Sequence, residues 1–315
     1  MTTIQPSTEA QYLQRATRLL DAYERETGQT WRSAPLAAVE WFARQSALKQ
    51  WSKQTLLLYR SSFAWYMERF GPSRAADMIR AVAYTPDATQ TRARTSARKM
   101  KKMPEAMMVK LYTVLETSKN PLDQAVFHWL KAGRATGLRP CEWKHAFLEE
   151  HVVEGSRNLV LLVKNAKKGE LRANGESRRL IFRKFPEHYA EETAIRDFMR
   201  DINKFVTARL PFEQLYAMCR KRLMYVCRNV FRHEERYISL YTPRHQFAAD
   251  MKASGLTKPQ VAALMGHASE ESAGEHYARR KDGVRRIAPP EPDASEVAGV
   301  RIGKKSEKKS PWKMA

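Results

Sequence analysis

Apolar positions recur at helical spacing along most of this chain. Within residues 9–82, Tyr12, Ala16, Leu19, Leu20 and Tyr23 share one stripe, and Leu36, Val39, Trp41, Phe42 and Ala43 form a second. Leu57, Leu58, Tyr59, Phe63, Trp65, Tyr66 and Phe70 make a third over 55–70, closed by Gly71 and Pro72, and a shorter fourth covers 73–82. Such repetition is the mark of amphipathic helices, so the spacing predicts a four-helix N-terminal bundle. Helical patterns resume at 104–117, 121–136, 186–210 and 211–231. Two runs depart from that period. NLVLLVK at 158–164 and SRRLIF at 177–182 read as strands, joined by the loop NAKKGELRANGE. Between these regions Gly137 stops a helix, and Pro140 is placed to open another with Glu142 in its first turn.

The densest punctuation lies at 240–280, LYTPRHQFAADMKASGLTKPQVAALMGHASEESAGEHYARR. It reads as three short helices. Pro243 opens the first, and Gly255 suits the left-handed position after it. Thr257 and Gln260 form a capping box ahead of Val261, Leu264 and Met265, and Gly266 ends that helix. Ser269 caps the third, with Glu270 and Glu271 in its positive first turn. Arg244, His267 and Tyr277 fall at the start, middle and end of this unit, a set able to hold a phosphate and attack it.

Composition narrows the partner. The 315 residues can bury a substantial core, and two domains fit the length better than one. Lys plus Arg number 56 against 34 Asp plus Glu, a net charge of +22 spread along the whole chain. A chain this basic most often meets nucleic acid. No apolar run approaches the ~20 residues of a membrane span, and the N-terminus MTTIQPSTEAQ lacks the pattern of a secretory signal. Cys141, Cys219 and Cys227, an odd count without CxxC spacing, argue against disulfides and against a zinc site. A cytoplasmic setting follows as the expectation. Residues 85–104, TPDATQTRARTSARKMKKMP, carry Arg92, Arg94, Arg98, Lys99, Lys101 and Lys102 with no acid after Asp87. They read as a linker that tracks a phosphate backbone. Lys49, Lys53 and Arg60 in the bundle are further candidates for phosphate contact.

The spacing R-H-x-F, then L-M-G-H, then a tyrosine ten residues later resembles the tyrosine recombinases, or phage-type integrases. ATGLRPCEW at 135–143 is similar to that family's T-G-x-R-x-x-E segment, which carries its first catalytic arginine. The likeness covers roughly 103–281 in detail. It implies a mainly α fold with a small β-sheet: a helical core-binding domain at 1–84, a basic linker at 85–103, a mixed α/β catalytic domain at 104–285 and a flexible basic tail at 286–315. It further implies cleavage and rejoining of double-stranded DNA through a 3′-phosphotyrosyl link, without metal or cofactor. The assembly would be a homo-tetramer on two DNA sites, with accessory DNA-bending proteins admitted as further partners, serving integration or excision of a mobile element.

The chemistry suits the residues. A free tyrosine with pKa near 10 is only about one part in a thousand phenolate at neutral pH, so the nucleophile needs a positive setting. Arg139 and Arg244 supply one, since guanidinium forks match phosphate oxygens and stay charged. The resemblance assigns Tyr277 as nucleophile, Arg139 and Arg244 as the phosphate clamp and His267 as a hydrogen-bond partner of the scissile phosphate. The acid for the departing 5′ oxygen falls in the hairpin, where Lys164, Lys167 and Lys168 compete and Lys167 best matches the family's position. One departure stands out. Where recombinases carry histidine three residues before the second arginine, this chain has Tyr241, expected to donate to a non-bridging oxygen without titrating. His245, at a different position, is expected to pack against the fold. Competing readings are a type IB topoisomerase, a DNA-binding protein that kept the fold with weakened catalysis, and a basic RNA-binding helical protein.

Overall fold

The computed structural model describes residues 6–84, 99–153, 156–166, 173–183, 188–275 and 277–303. The chain divides into two compact units, Met1–Arg92 and Ala93–Ala315.

The first unit holds α1 (Pro6–Thr27), α2 (Pro35–Leu48), α3 (Lys53–Phe70) and α4 (Ser73–Ala81). Its centre is aromatic. Tyr23, Trp31, Trp41, Phe42 and Phe63 are buried, and Phe42 meets Phe63 edge-on at 5.4 Å and Trp51 at 5.5 Å. Such rings prefer offset or edge contacts because of their quadrupoles. The Ser52 hydroxyl accepts the Thr55 N–H at 3.1 Å, starting α3 two residues ahead of the apolar pattern. The Glu26 carboxylate accepts from Trp41 Nε1 at 2.8 Å and Gln45 Nε2 at 2.7 Å, pinning α1 to α2.

In the second unit α5 (Glu105–Glu116) and α6 (Pro121–Thr136) precede a short 3-10 helix, Pro140–His145. The strands β1 (Ala146–Val153), β2 (Ser156–Lys164) and β3 (Ser177–Arg183) follow, then α7 (Tyr189–Thr207) and α8 (Phe212–Val230). Next come α9 (Thr242–Ala253), α10 (Lys258–Leu264) and α11 (Glu270–Glu275), a 3-10 turn at Arg280–Asp282, β4 (Glu291–Pro292) and α12 (Ala294–Ala298). The sheet order is β1-β2-β3-β4, antiparallel throughout, with Leu161 paired to Leu148 on one side and Leu180 on the other. Trp129, Leu130 and Val126 of α6 lie at the heart of the core, and Trp129 packs on Phe198 of α7 at 4.8 Å. The fold is mainly α with a small sheet, as the periodicity predicts.

Three expectations change. The helix expected from Pro140 is a single 3-10 segment that runs into β1, a strand that the periodicity does not predict. AFLEEHVV places two glutamates and a histidine side by side, so it shows no period of two to reveal it. Residues 286–303, expected to begin a flexible tail, are built into this unit. Leu180 and Ile181 on the outer edge of β3 pair with Pro292 and Glu291 of β4, Val300 buries against Ala262 and Ala263, and both Glu296 carboxylate oxygens accept the Arg179 N–H. An exposed sheet edge offers unpaired backbone groups, and a Pro/acid-rich segment with two valines suffices to cover it. Tyr277, expected at the end of the third helix of the 240–280 unit, lies in a bend past the end of α11.

Candidate active site

A left-handed Gly137 (φ 67°) ends α6 and delivers Arg139 to the N-cap of the 3-10 helix. Three residues on, Glu142 accepts the Arg139 N–H at 2.7 Å and its Nη1 at 2.6 Å, so this carboxylate closes the turn and orients the guanidinium. Two more arginines converge on it. Arg178 of β3 donates Nη2 to Oε2 at 2.8 Å, and Arg244 of α9 places Nη1 3.7 Å away. The Ala166 N–H, at the base of the hairpin loop, is 3.3 Å from Oε1. All four side chains are buried, Glu142 at 2% exposure and Arg244 at 0%. Burial alone would raise the Glu142 pKa; Arg178, Arg244 and Arg139 override it and hold the carboxyl far below the usual range. Three guanidiniums around one carboxylate leave an excess of positive charge, a site built for an anion.

Four hydrogen-bond partners hold the second guanidinium. Arg244 donates Nη1 to the Gly137 carbonyl at 2.6 Å, Nη2 to the Met265 carbonyl at 2.7 Å, and Nε to the Tyr277 hydroxyl at 3.1 Å. Nη2 also donates to His267 Nε2 at 3.1 Å, which puts the proton of a neutral His267 on Nδ1. His267 Nε2 is in turn 3.2 Å from the Tyr277 oxygen. The turn that sets His267 needs Gly266 (φ 61°), since a Cβ there would lie 2.4 Å from Asn165 Oδ1. Asn165 accepts from Arg178 Nη1 at 2.5 Å and donates to the Asn174 and Gly175 carbonyls, tying both ends of the hairpin loop to the arginine cluster.

Half-buried Tyr277 is therefore surrounded by donors and positive charge. Burial raises its pKa; Arg244, the hydrogen bonds from Tyr241 and Arg244, and Arg139 outweigh that, and the net shift is downward. Tyr241 moves the other way, raised first by burial and then by its partnership with Tyr277. Two neighbouring phenols are thus pushed apart in acidity, with Tyr277 the more easily ionised. The His245 ring stands against both, 5.5 Å from Tyr241 and 5.0 Å from Tyr277, so it packs at the site itself. Burial, then Lys101, Arg244 and Lys252, lower its pKa to about 4.

Of the sequence candidates, Arg139, Arg244, His267, Tyr241 and Tyr277 meet in this one place. Lys167 and Lys168 lie outside the described residues, as do Arg92, Arg94 and Arg98. Lys164 ends β2 and is exposed. Lys99, Lys101 and Lys102 run beside α9, with Lys99 bridged to Tyr237 and Lys102 Nζ 3.7 Å from Asp282. In the first unit Lys53 is exposed at the start of α3, Lys49 pairs with Glu26 at 3.5 Å, and Arg60 donates to the Val82 carbonyl, a contact that joins α3 to the end of α4. Among the described residues no cluster of metal-ligating side chains occurs. No described helix is long and apolar enough to cross a membrane.

The geometry can be set beside known proteins. No family model matches the sequence, and no curated protein does. Among solved structures, the XerH site-specific recombinase bound to its difH substrate superposes with a TM-score of 0.50 at 12% identity, over 85% of this chain and 75% of that one. The chain has the tyrosine-recombinase fold. The Tn1549 transposon integrase in complex with transposon right-end DNA is also similar, with a TM-score of 0.48 and 13% identity over 88% of this chain and 91% of that chain. At these identities the likeness speaks for the fold alone.

Sequence reasoning missed Arg178, Asn165 and Gln246 as parts of this region. Arg178 had a visible signal. It shares the strand face of Leu180 and Phe182, and burial alternates along β3 accordingly, which turns Arg178 inward. Asn165 and Gln246 carried none, because their roles depend on neighbours far away in sequence.

Proposed function

We propose that this protein is a site-specific DNA recombinase that cleaves and rejoins DNA through Tyr277. The observation that carries the reading is the convergence of Arg244 Nε and His267 Nε2 on the Tyr277 oxygen, inside a cluster with surplus positive charge. The similar fold of XerH, a site-specific recombinase seen with its DNA substrate, supports it, as does the net charge of +22. The Tyr277 oxygen attacks phosphorus as the bond to the 5′ oxygen breaks, giving a 3′-phosphotyrosyl link. The phenolic proton leaves by way of His267 Nε2, and a hairpin lysine, Lys167, returns one to the 5′ oxygen. Arg139 and Arg244 bind the non-bridging oxygens, and Tyr241 adds a neutral donor. Strand exchange in a homo-tetramer on two sites would serve movement of a mobile element.

The test works without a known target sequence. Wild-type protein is incubated with a pool of nicked duplexes of random sequence, and DNA that resists denaturing extraction is recovered with its peptide. An adduct on Tyr277, absent in Tyr277→Phe, is the expected result; an adduct elsewhere, or none, overturns the reading. Plasmid relaxation without exchange between paired sites would move it to a type IB topoisomerase.

A further inference from the structure

The basic segment entering the second unit and the segment that follows Tyr277 are attached to the same side of α9. Met100 donates its N–H to the Tyr237 carbonyl at 3.0 Å and accepts from Thr242 Oγ1 at 3.0 Å, and the Met103 N–H reaches Gln246 Oε1 at 2.8 Å. Beyond Tyr277, the Ala278 carbonyl accepts from Lys252 Nζ at 3.0 Å, and the Val284 N–H is held by Asp250 Oδ1 at 3.0 Å. The Arg286 N–H is held by Ser254 Oγ at 2.8 Å. Contact is close enough that a Cβ on Gly283 would lie 2.1 Å from the Ala249 carbonyl oxygen. A buried side chain stands between the two segments, beside the exposed ion pair of Lys102 with Asp282 at 3.7 Å. Gln246, 2% exposed and two residues past Arg244, accepts from Met103 through Oε1 and donates Nε2 to Asp250 Oδ1 at 2.7 Å and to the Asp282 carbonyl at 2.9 Å.

The amide cannot turn over. Rotated by half a turn, it would point Nε2 at the Met103 N–H and Oε1 at a carboxylate and a carbonyl, losing all three bonds. Its oxygen faces the incoming segment and its nitrogen the outgoing segment, so a shift of either is felt by the other through a rigid planar group.

We propose that Gln246 is a positioning residue that couples the basic segment at 99–103 to the placement of Tyr277. Phosphate contact by Lys101 and Lys102 draws on Met103; the Gln246 carboxamide passes that to Asp282 and so to the segment anchoring the tyrosine. The inference rests on the recombinase reading in that DNA is what the segment grips.

The experiment uses the full chain and a mixed-sequence duplex of about 30 base pairs at low salt. Amide hydrogen exchange is followed at 278–286 with and without DNA. In the wild type the duplex should slow exchange there about fivefold, the factor one hydrogen bond of ordinary net strength sets. Gln246→Glu keeps the acceptor for Met103 and loses the donors, and Gln246→Leu loses both. Each should bind the duplex with wild-type affinity and lose the slowing, which a side chain that merely supports the fold would leave in place. Lys101→Ala with Lys102→Ala should lose it as well. Equal slowing in Gln246→Glu, or none in the wild type, overturns the proposal. If Gln246→Leu fails to fold, the glutamate variant decides. A wild type that shows the coupling but forms no covalent adduct defeats the catalytic reading and leaves this one standing.

Discussion

At the centre of the first unit Phe42 meets Phe63 and Trp51, and no charge lies among them; at the candidate site of the second, Glu142 is ringed by Arg139, Arg178 and Arg244. The aromatic centre gains by removing apolar surface from water, and it tolerates substitutions of similar volume. The arginine cluster must give up hydration for its ions and recovers it only through close pairing, so a well-packed apolar cluster of the same volume would be about as stable or more so. Charges retained at such cost suit the anion site proposed for this unit, whereas the ring cluster specifies only a shape.

Variants that exploit this contrast should differ sharply. Glu142→Ala leaves three buried guanidiniums without their carboxylate and should cost about 3–5 kcal/mol. Phe63→Leu should cost less than about 1.5 kcal/mol. Urea unfolding read by hydrogen exchange in each unit separates the two, and equal losses would erase the distinction. Next in size is Tyr241→Phe, which removes one hydroxyl beside Tyr277. Single-turnover cleavage of the selected duplex should fall on the order of 10²–10³-fold, or about 3–4 kcal/mol in the barrier. An unchanged rate would make Tyr241 a packing ring like those of the first unit.

The pH response is smaller, because two groups of the second unit oppose each other. His245, buried beside Lys101, Arg244 and Lys252, is lowered from 6.5 to about 4; its contribution is complete above pH 6.5 and is lost as pH falls towards 4. Glu296, buried and near Asp293, is raised from 4.5 to about 7; its contribution is complete below pH 4.5 and is lost as pH rises towards 7. The slopes oppose one another between pH 4.5 and 6.5. In Glu296→Gln the histidine slope is no longer opposed by Glu296, so Tm should climb with pH across that window more steeply than in the wild type. Parallel curves would sink the argument. The smallest expected effect lies in the first unit, where Ser52→Ala removes the cap of α3 and should cost about 1 kcal/mol by thermal unfolding.

Much of this protein could be read along the chain. Local rules set the four helices of the first unit, the α9–α10–α11 punctuation and the Thr257–Gln260 box, because a cap, a left-handed glycine or an amphipathic stripe involves residues within one or two turns. The spacing of Arg139, Arg244, His267 and Tyr277 named the candidate chemistry for the same reason: each sits in a short motif. Local pattern failed where the stabilising partner is distant. β1 is held by its register with β2, and the Pro/acid-rich 291–303 segment by the bare edge of β3 and the surface of α10. No periodicity announces either. Only the tertiary structure decided that Arg178 and Arg244 share Glu142, that His245 stands against Tyr277, and that Gln246 joins residue 103 to residue 282. Those choices depend on desolvation and hydrogen-bond geometry among groups brought together from separate elements, quantities that exist only once the chain has closed around them.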